Sequence, residues 1–586
     1  VDTQAIKNYS GQSLDRLLEM HSTLYMKNYG AGNMSTFSIR GSSAAQTGIY
    51  WYGMNLNNVL SGVADLSLIP VSFFQQVNIH YSGSEGIGQY LELRSGTGKE
   101  PDTKTIQSAW HYESLQNNTF TFQASKAGFR LNSAISHQQN RFSYYSPNQK
   151  KTIISQSPSR GIQLMGDAIH PWSKKVQSGF HGWFFTKYRS MAPADFESDI
   201  QRQENQWTFR GILETTCLWN QNLKSVFSQG ISREFYSFSD SFHQVSSHYH
   251  SYRIPLLMQH RFQFSPVQSL ELKTEWSYSR NMASDTAFLN NTLLRLGYQH
   301  ARLPLKMKFD LMVQKEFNNR FATPWAWLCT GSIPIWKHQM QLKILASCLN
   351  RNPVLNELFY FPGGNSLLRP ERSRNIEAGM EWQLNRGHSS FYGSAGLYGR
   401  KVSDWIVWYG SSVFTPHNIL GVYSRGLDMD VHFTQKLYPV KNDTMDVLIS
   451  THSSVWSHPL LQLSVQYAYN LATTTASAIP LDYSIGKQIP YTPRYIVRAG
   501  AGCSTQRLAL NLNYHYTGYR FITSDESQYL KPYHLFSVDA SFRFQIKRHS
   551  LRWQVQVRNF TNRQIETLPG RFMPGRTGCI SLHYSL

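Results

Sequence analysis

No stretch of this chain approaches the roughly 20 consecutive apolar residues that a membrane-spanning helix needs. That lack leaves strands as the means of crossing a bilayer, because a barrel strand shows lipid only every second residue and so looks polar on average. Cysteine is scarce. Cys217, Cys329, Cys348, Cys503 and Cys579 stand far apart with no Cys-x-x-Cys spacing, which excludes a framework of closely spaced thiols for zinc or redox work. Charge is sparse too, at 16% of residues, and acid is the scarcer sign: 36 Asp plus Glu against 57 Lys plus Arg give +21. The basic residues form no run of five or six, so they read as lumen and rim charge rather than a nucleic-acid patch. Such an excess would complement anionic surface lipid or an anionic substrate. No nucleophile elbow, phosphate loop or paired-carboxylate site stands out, so no enzyme is expected. Val1-Asp2-Thr3-Gln4 is not a basic-then-apolar leader, and for an exported protein the expectation is a leader already removed.

What is present is aromatic and alternating. Aromatics reach 14% of the 586 residues, which fits the girdles that flank the lipid band of a barrel. Period-two runs begin near Thr105. They include Leu270, Leu272, Thr274, Trp276 and Tyr278, then Leu303, Leu305, Met307, Phe309, Leu311 and Val313, and later Phe536, Val538, Ala540, Phe542 and Phe544. Helical spacing fits none of them. A β-sandwich also alternates, but this array is longer than one sandwich and carries Lys306, Lys308 and Asp310 opposite an apolar face. Its length corresponds to about 22 antiparallel strands, the transporter end of the barrel range. The first hundred residues differ. Ser13 to Leu18 begins an amphipathic helix, Phe37-Ser38-Ile39 and Gly48 to Tyr52 are strand candidates, Ile69-Pro70 marks a helix start before a strand from Val77 to His80, and Gly83, Gly86 and Gly88 punctuate a loop. The expected fold is an all-β transmembrane barrel, residues 104–586, with a small α/β plug, residues 1–103, in its lumen.

Several motifs, in this order, resemble the TonB-dependent outer-membrane receptors. Ser38-Ile39-Arg40-Gly41, then Tyr52 to Asn57, then Asp65-Leu66-Ser67-Leu68-Ile69-Pro70, are similar to that family's plug. Arg351-Asn352-Pro353 to Glu357-Leu358-Phe359, Gly364 to Glu371, and Asn375-Ile376-Glu377 resemble a signature of its barrel, and Arg558-Asn559-Phe560 with Pro574-Gly575-Arg576 its closing strands. The wording of the plug is most similar to the Bacteroidetes relatives of the cobalamin receptor. The resemblance implies an integral outer-membrane protein that actively imports a scarce, bulky nutrient, cobalamin or a related corrinoid first and a ferric siderophore or haem as the alternative. A passive porin and a surface adhesin are the readings from other classes. The implied partners are a TonB-type energy-transducing complex, a surface substrate-binding lipoprotein and outer-membrane lipid. The plug departs from the family pattern in Gly83 to Leu93, which lacks its paired glycines, and no clear TonB box precedes Ser13.

The candidate sites follow. The resemblance pairs Arg40 with glutamates of plug or wall, and Glu371 and Glu377 are candidates for similar pairing between plug and barrel. For substrate, Asn55, Asn57, Asn58 and Ser61 offer amides and a hydroxyl, and Tyr52, Met54, Val59 and Leu60 offer apolar contact. A turn chosen for its backbone geometry is the competing reading of the same residues. Phe235 to Tyr252, with His243, His248 and His250, reads as an aromatic loop that could touch ligand or metal. Asp195, Glu197 and Asp199 give a faint calcium signal without the spacing of a dedicated loop. No cofactor or resident metal is expected.

Overall fold

A computed structural model describes the chain apart from residues 2, 84, 97–104, 147–150, 155–156, 198–201, 243, 283–286, 337–338, 411–412 and 438–458. The expected boundary between residues 103 and 104 therefore lies outside the described residues, as do Ser84, Asp199 and His243.

Twenty-two strands close into one barrel. It runs from Thr105–Glu113 round to Thr577–Ser585, and these two strands pair antiparallel across the closure, Cys579 opposite Glu113 and Ser585 opposite Gln107. Alternation decides which side faces lipid. Along Phe129–Gln138, exposed Phe129, Leu131 and Ile135 alternate with buried Arg130, Asn132 and Ala134. Connections at one end are short, as between Lys126 and Phe129 or between Ile546 and His549, with Lys436 to Leu460 the exception. Those at the other end are longer, as from Arg351 to Glu371 or Ser477 to Tyr495. In such barrels the short turns are periplasmic and the long loops extracellular. Trp172, Trp219 and Trp336 are all exposed at short turns, where an interfacial aromatic belt belongs.

One strand starts later than its pattern suggests. Leu303, Leu305 and Met307 fit period two, but Pro304–Lys306 forms a 3-10 turn, Leu305 and Lys306 take φ of 60° and 58°, and the strand begins at Lys308. Proline has no N–H for the ladder, which alternation does not register. The aromatic segment expected as a loop also differs: Phe235–Asp240 and Val245–Tyr252 lie in two long paired strands, Leu223–Asp240 and Val245–Ser265.

The plug combines a four-stranded sheet with short helices. Gly48–Trp51 pairs antiparallel with Met54–Asn55 and parallel with Tyr90–Arg94, which pairs antiparallel with Gln76–His80. A separate hairpin joins Tyr25–Asn28 to Ser35–Ser38. Helix Leu14–His21 buries Leu14, Leu17 and Leu18 completely, the spacing expected of one apolar face. Ser13 occupies its N-cap, but its hydroxyl donates to Asp15 at 2.5 Å rather than serving the backbone. The helix packs on Ile49, Trp51, Val77, Leu91 and Leu93, and this core runs on into the wall through Met165, Trp183, Phe185 and Ile212. Trp51 meets Trp183 edge to face at 5.8 Å. The plug is thus seated on apolar surface before any polar contact is counted.

Candidate functional site

Among the described residues, the plug meets the wall through three charged clusters largely shielded from solvent. The first is built on a sharp turn. Arg40 and Gly41 take φ of 50° and 74°, and a Cβ on Gly41 would lie 2.6 Å from the Cβ of Ala472 in the wall. Only glycine suits both the left-handed backbone and that approach. The turn carries Arg40 to the wall, where it reaches Glu377 at 2.9 Å and Asp428 at 2.6 Å, with its guanidinium 4.3 Å from the centre of the Tyr398 ring. Burial alone would lower its pKa; Asp428 and Glu377 outweigh burial and raise it. Arg400 donates to the Arg40 carbonyl at 2.9 Å and to Gln89 at 2.6 Å, tying the same turn to the wall a second way.

The second cluster uses Asp65, which caps the 3-10 turn Leu66–Leu68 through the Ser67 amide and pairs with Arg189 at 2.9 Å. Arg189 also contacts Glu204. The third uses Glu85, 2.9 Å from Arg295 and 3.5 Å from Lys273. Burial opposes ionisation of Glu85, but Lys273 and Arg295 prevail and hold its carboxyl at about 2. Glu371 belongs to a neighbouring network. It is wholly buried, accepts from Gln46 of the plug at 2.7 Å and from Arg351 at 2.8 Å, and Arg351 also binds Glu357 at 3.0 Å.

The residues singled out for substrate are placed differently from one another. Tyr52 stacks on His181 of the wall at 3.7 Å, and Met54 is buried in the plug core. The Asn55 side-chain Oδ1 accepts from the Asn57 backbone N–H at 2.8 Å. Asn57 is buried, accepting from Ile49 and donating to Thr47 and Gly62. Asn58 donates to Glu234 at 2.8 Å and accepts from the Leu60 and Ser61 amides. Val59 and Leu60 pack against Leu355, Leu358 and Ile406. Ser61 reaches an open vestibule on the extracellular side of the plug.

That vestibule has a volume of about 560 Å³. Its lining includes Tyr25, Tyr29, Phe37, Trp405, Trp408 and Tyr491, and its lysine is Lys27. The Lys27 ammonium lies 4.0 Å from the Tyr491 ring centre and 5.3 Å from that of Tyr29. Burial pushes its pKa down to about 8. Sequence reasoning missed Lys27, because a lone lysine two residues from tyrosines in a short strand has no distinguishing pattern. It missed Asp428 and Glu85 because their partners are distant in the chain. Asp65 could have been read as a cap, since Asp65-Leu66-Ser67 has the spacing of one.

Other candidates resolve into ordinary contacts. Glu197 pairs with Arg202 at 3.1 Å and Arg571 at 3.2 Å, and Asp195 accepts from Tyr144 at 2.8 Å. The ligand atoms of His111, Glu113 and Cys579 lie within 4.8 Å of one another at the barrel closure. Each already has a protein partner: Arg558 for Glu113 at 2.9 Å, Ser581 for His111 at 2.7 Å, and His111 for Cys579 at 3.2 Å.

A closed barrel with a folded domain sealed into its lumen by buried charge defines a gated outer-membrane receptor. Residues 1–88 match the TonB-dependent Receptor Plug Domain family, and residues 350–560 match the family of TonB dependent receptor-like β-barrels. The chain belongs to the TonB-dependent receptor family. Among solved structures it is similar to the ferric enterobactin receptor of Pseudomonas aeruginosa, at 13% identity and TM-score 0.76, covering 100% of this chain and 98% of that one. It is similar to a siderophore receptor of Acinetobacter baumannii at 12% identity and TM-score 0.75, with 100% and 98% covered. Identities this low establish the shared fold. The chain is therefore an integral outer-membrane protein of a family of receptors and transporters, not of enzymes, that works with TonB-type energy transduction.

Proposed function

We propose that this receptor imports a ferric siderophore or a similar bulky, anionic iron chelate. The vestibule carries the reading: aromatic faces surround one ammonium group, and the strongest neighbouring cation, Arg351, is already held by Glu357 and Glu371. Aromatic rings suit the planar rings of a catecholate-type chelate, and Lys27 suits its negative charge. The structural neighbours whose names give a ligand are siderophore receptors, which supports the same choice. The corrinoid expectation, by contrast, depends on the amides of Asn55, Asn57 and Asn58, and these are engaged within the plug or by Glu234. Corrinoid import remains the alternative reading. Phe361, Leu367, Leu481 and Tyr483 stand exposed on extracellular loops and would suit the surface lipoprotein that the resemblance implies.

Tryptophan-fluorescence titration of the purified protein tests this. Saturable quenching by a ferric tricatecholate, with none by cobalamin, is expected. Saturable cobalamin binding without response to the chelate would return the assignment to a corrinoid.

A further inference from the structure

The outer face of the barrel gathers positive charge on three neighbouring strands, Glu371–Arg386, Ser389–Tyr409 and Thr415–Lys436. Each presents one exposed cation: Arg374, Lys401 and Arg425. Alternation fixes their side. Glu377 and Asp428 reach inward to Arg40 of the plug, and Arg374 and Arg425 each stand three residues before them, an odd step. Lys401 follows Arg400, which reaches inward to Gln89. All three cations therefore point away from the lumen.

Register brings them together. Arg374 lies directly opposite Lys401, Lys401 opposite Tyr423, and Arg425 opposite Gly399. The Arg425 guanidinium sits 5.2 Å from the centre of the Tyr423 ring. Gly399 puts no side chain between Ile376 and Arg425, and a Cβ there would lie 3.3 Å from the Tyr423 hydroxyl. The result is a notch floored by glycine and rimmed by two guanidinium groups, an ammonium and a phenol hydroxyl. Like charges directly opposite each other, as Arg374 and Lys401 are, destabilise a strand pair unless an anion lies between them.

No carboxylate of the wall fills that role. Glu377, Asp428 and Glu371 are engaged by Arg40 and Arg351. Asp404, three residues on from Lys401, is bonded to Arg369 at 2.5 Å. The connection from Tyr409 to Thr415 contains no aspartate or glutamate. Among the described residues, none of the three cations forms an ion pair. Elsewhere on the outer face, Arg160 over Tyr188 and Arg233 over Trp207 are each a single cation on an aromatic ring.

Depth points to the anion. Toward the short periplasmic turns the outward positions turn apolar: Ile376, Ala378 and Met380 on the first strand, Ala395 and Leu397 on the second, Leu427, Met429 and Val431 on the third. Trp382 and Phe391 stack at 6.0 Å beyond them, where the periplasmic girdle belongs. The cations thus begin where the apolar band ends, on the side of the long extracellular loops. A charge deeper in lipid is costly, whereas at this boundary it meets headgroups.

We propose that the notch binds the headgroup phosphates of a phosphorylated lipid in the outer leaflet. Three cations suit a headgroup with more than one phosphate, and the Tyr423 hydroxyl donates to a further oxygen. The acyl chains run along Ile376, Leu397 and Leu427 below. Glu377 and Asp428 stand on the first and third of these strands, so the lipid braces from outside the wall that holds Arg40 from inside. The site does not depend on what the receptor imports.

The test is native mass spectrometry of the full chain in detergent, with diphosphoryl lipid A as the probe. One lipid should stay bound at concentrations where phosphatidylethanolamine does not, and raising ammonium acetate should weaken it. Arg374→Gln, Lys401→Gln and Arg425→Gln together should weaken retention at least about tenfold. Arg374→Lys, Lys401→Arg and Arg425→Lys together keep the charge and should keep most of the retention. Arg160→Gln should leave it unchanged. The three side chains are exposed and form no ion pair, and heat-modifiability on gels checks that each variant is an intact barrel. Undiminished retention in the glutamine variant, an equal loss in the charge-keeping variant or in Arg160→Gln, or displacement of the lipid by equimolar inorganic phosphate would overturn the proposal.

Discussion

The seam between plug and wall is built in two ways. Between Val176 and Lys436 the plug is fastened by buried guanidinium–carboxylate and ammonium–carboxylate contacts at Arg40, Asp65 and Glu85. Around the barrel closure, among the described residues, it meets the wall through hydrogen bonds, such as that from Gln554 to the Asn8 carbonyl. A buried ion pair adds little over a well-packed apolar contact, but removing one partner strands the other and costs a great deal. Charged fastening therefore gives a seat that tolerates no partial release. The bonds from Arg552 to the Lys7 carbonyl and the Asn8 side chain, and between Ser10 and His583, are separate contacts that strand no carboxylate when broken. The difference assigns holding to one sector and opening to the other.

The largest blow to this comparison is Arg40→Ala. It leaves the partly buried Glu377 and Asp428 without the guanidinium they share and should destabilise plug docking by about 2–4 kcal/mol, somewhat less than for a fully buried pair. Denaturant unfolding followed through Trp51, whose ring meets Trp183 of the wall, reads the plug's release. A midpoint equal to wild type would show that the ion pair is not what seats the plug.

Glu85→Gln sharpens the comparison through pH. The folded carboxyl titrates at about 2 and the unfolded one near 4.5. A depressed carboxylate pKa contributes stability above the unfolded value and loses it as pH falls through the folded one. The stability difference between wild type and Glu85→Gln should be flat above about pH 5, shrink below 4.5 and vanish near 2. A difference that grows on acidification contradicts the assignment.

Gly41→Ala is smaller. The new Cβ meets Ala472 at 2.6 Å in a left-handed backbone, so about 1–3 kcal/mol of docking stability should go, by strain at the turn that aims Arg40. Docking measured in the same way, with no shift, would mean that the turn relaxes freely. Smallest for the seam is Lys27→Gln. Docking should be unchanged, while affinity for a ferric tricatecholate falls about tenfold, the loss of one charge-assisted contact. In wild type that affinity should fall as pH rises through about 8, because the free ammonium loses its proton there. Affinity that does not change from about one unit below that value to about two above it would separate Lys27 from the ligand.

Much of the fold was legible because its signals are local. Period-two alternation along Gln268–Asn281, Leu508–Thr517 and Tyr533–Ile546 reports a surface with lipid on one side and water on the other. The helix at Leu14–His21 announces itself by spacing. What stayed hidden depends on distant residues. Asp428 is 388 residues from Arg40, and Lys273 and Arg295 are far along the chain from Glu85. Polar residues in a turn look alike whether they face ligand or satisfy the chain. Asn57 and Asn58 satisfy plug and wall, whereas Lys27 and the aromatic rings from separate strands meet across the vestibule. Register alone revealed Arg374 opposite Lys401.

Single-channel recording in planar bilayers tests the division of the seam most directly, with Arg40→Ala set beside Ser10→Ala, which removes a hydrogen bond to His583. The account predicts frequent openings for Arg40→Ala and a silent, plugged barrel for Ser10→Ala, as for wild type. A silent Arg40→Ala together with a leaking Ser10→Ala would contradict it.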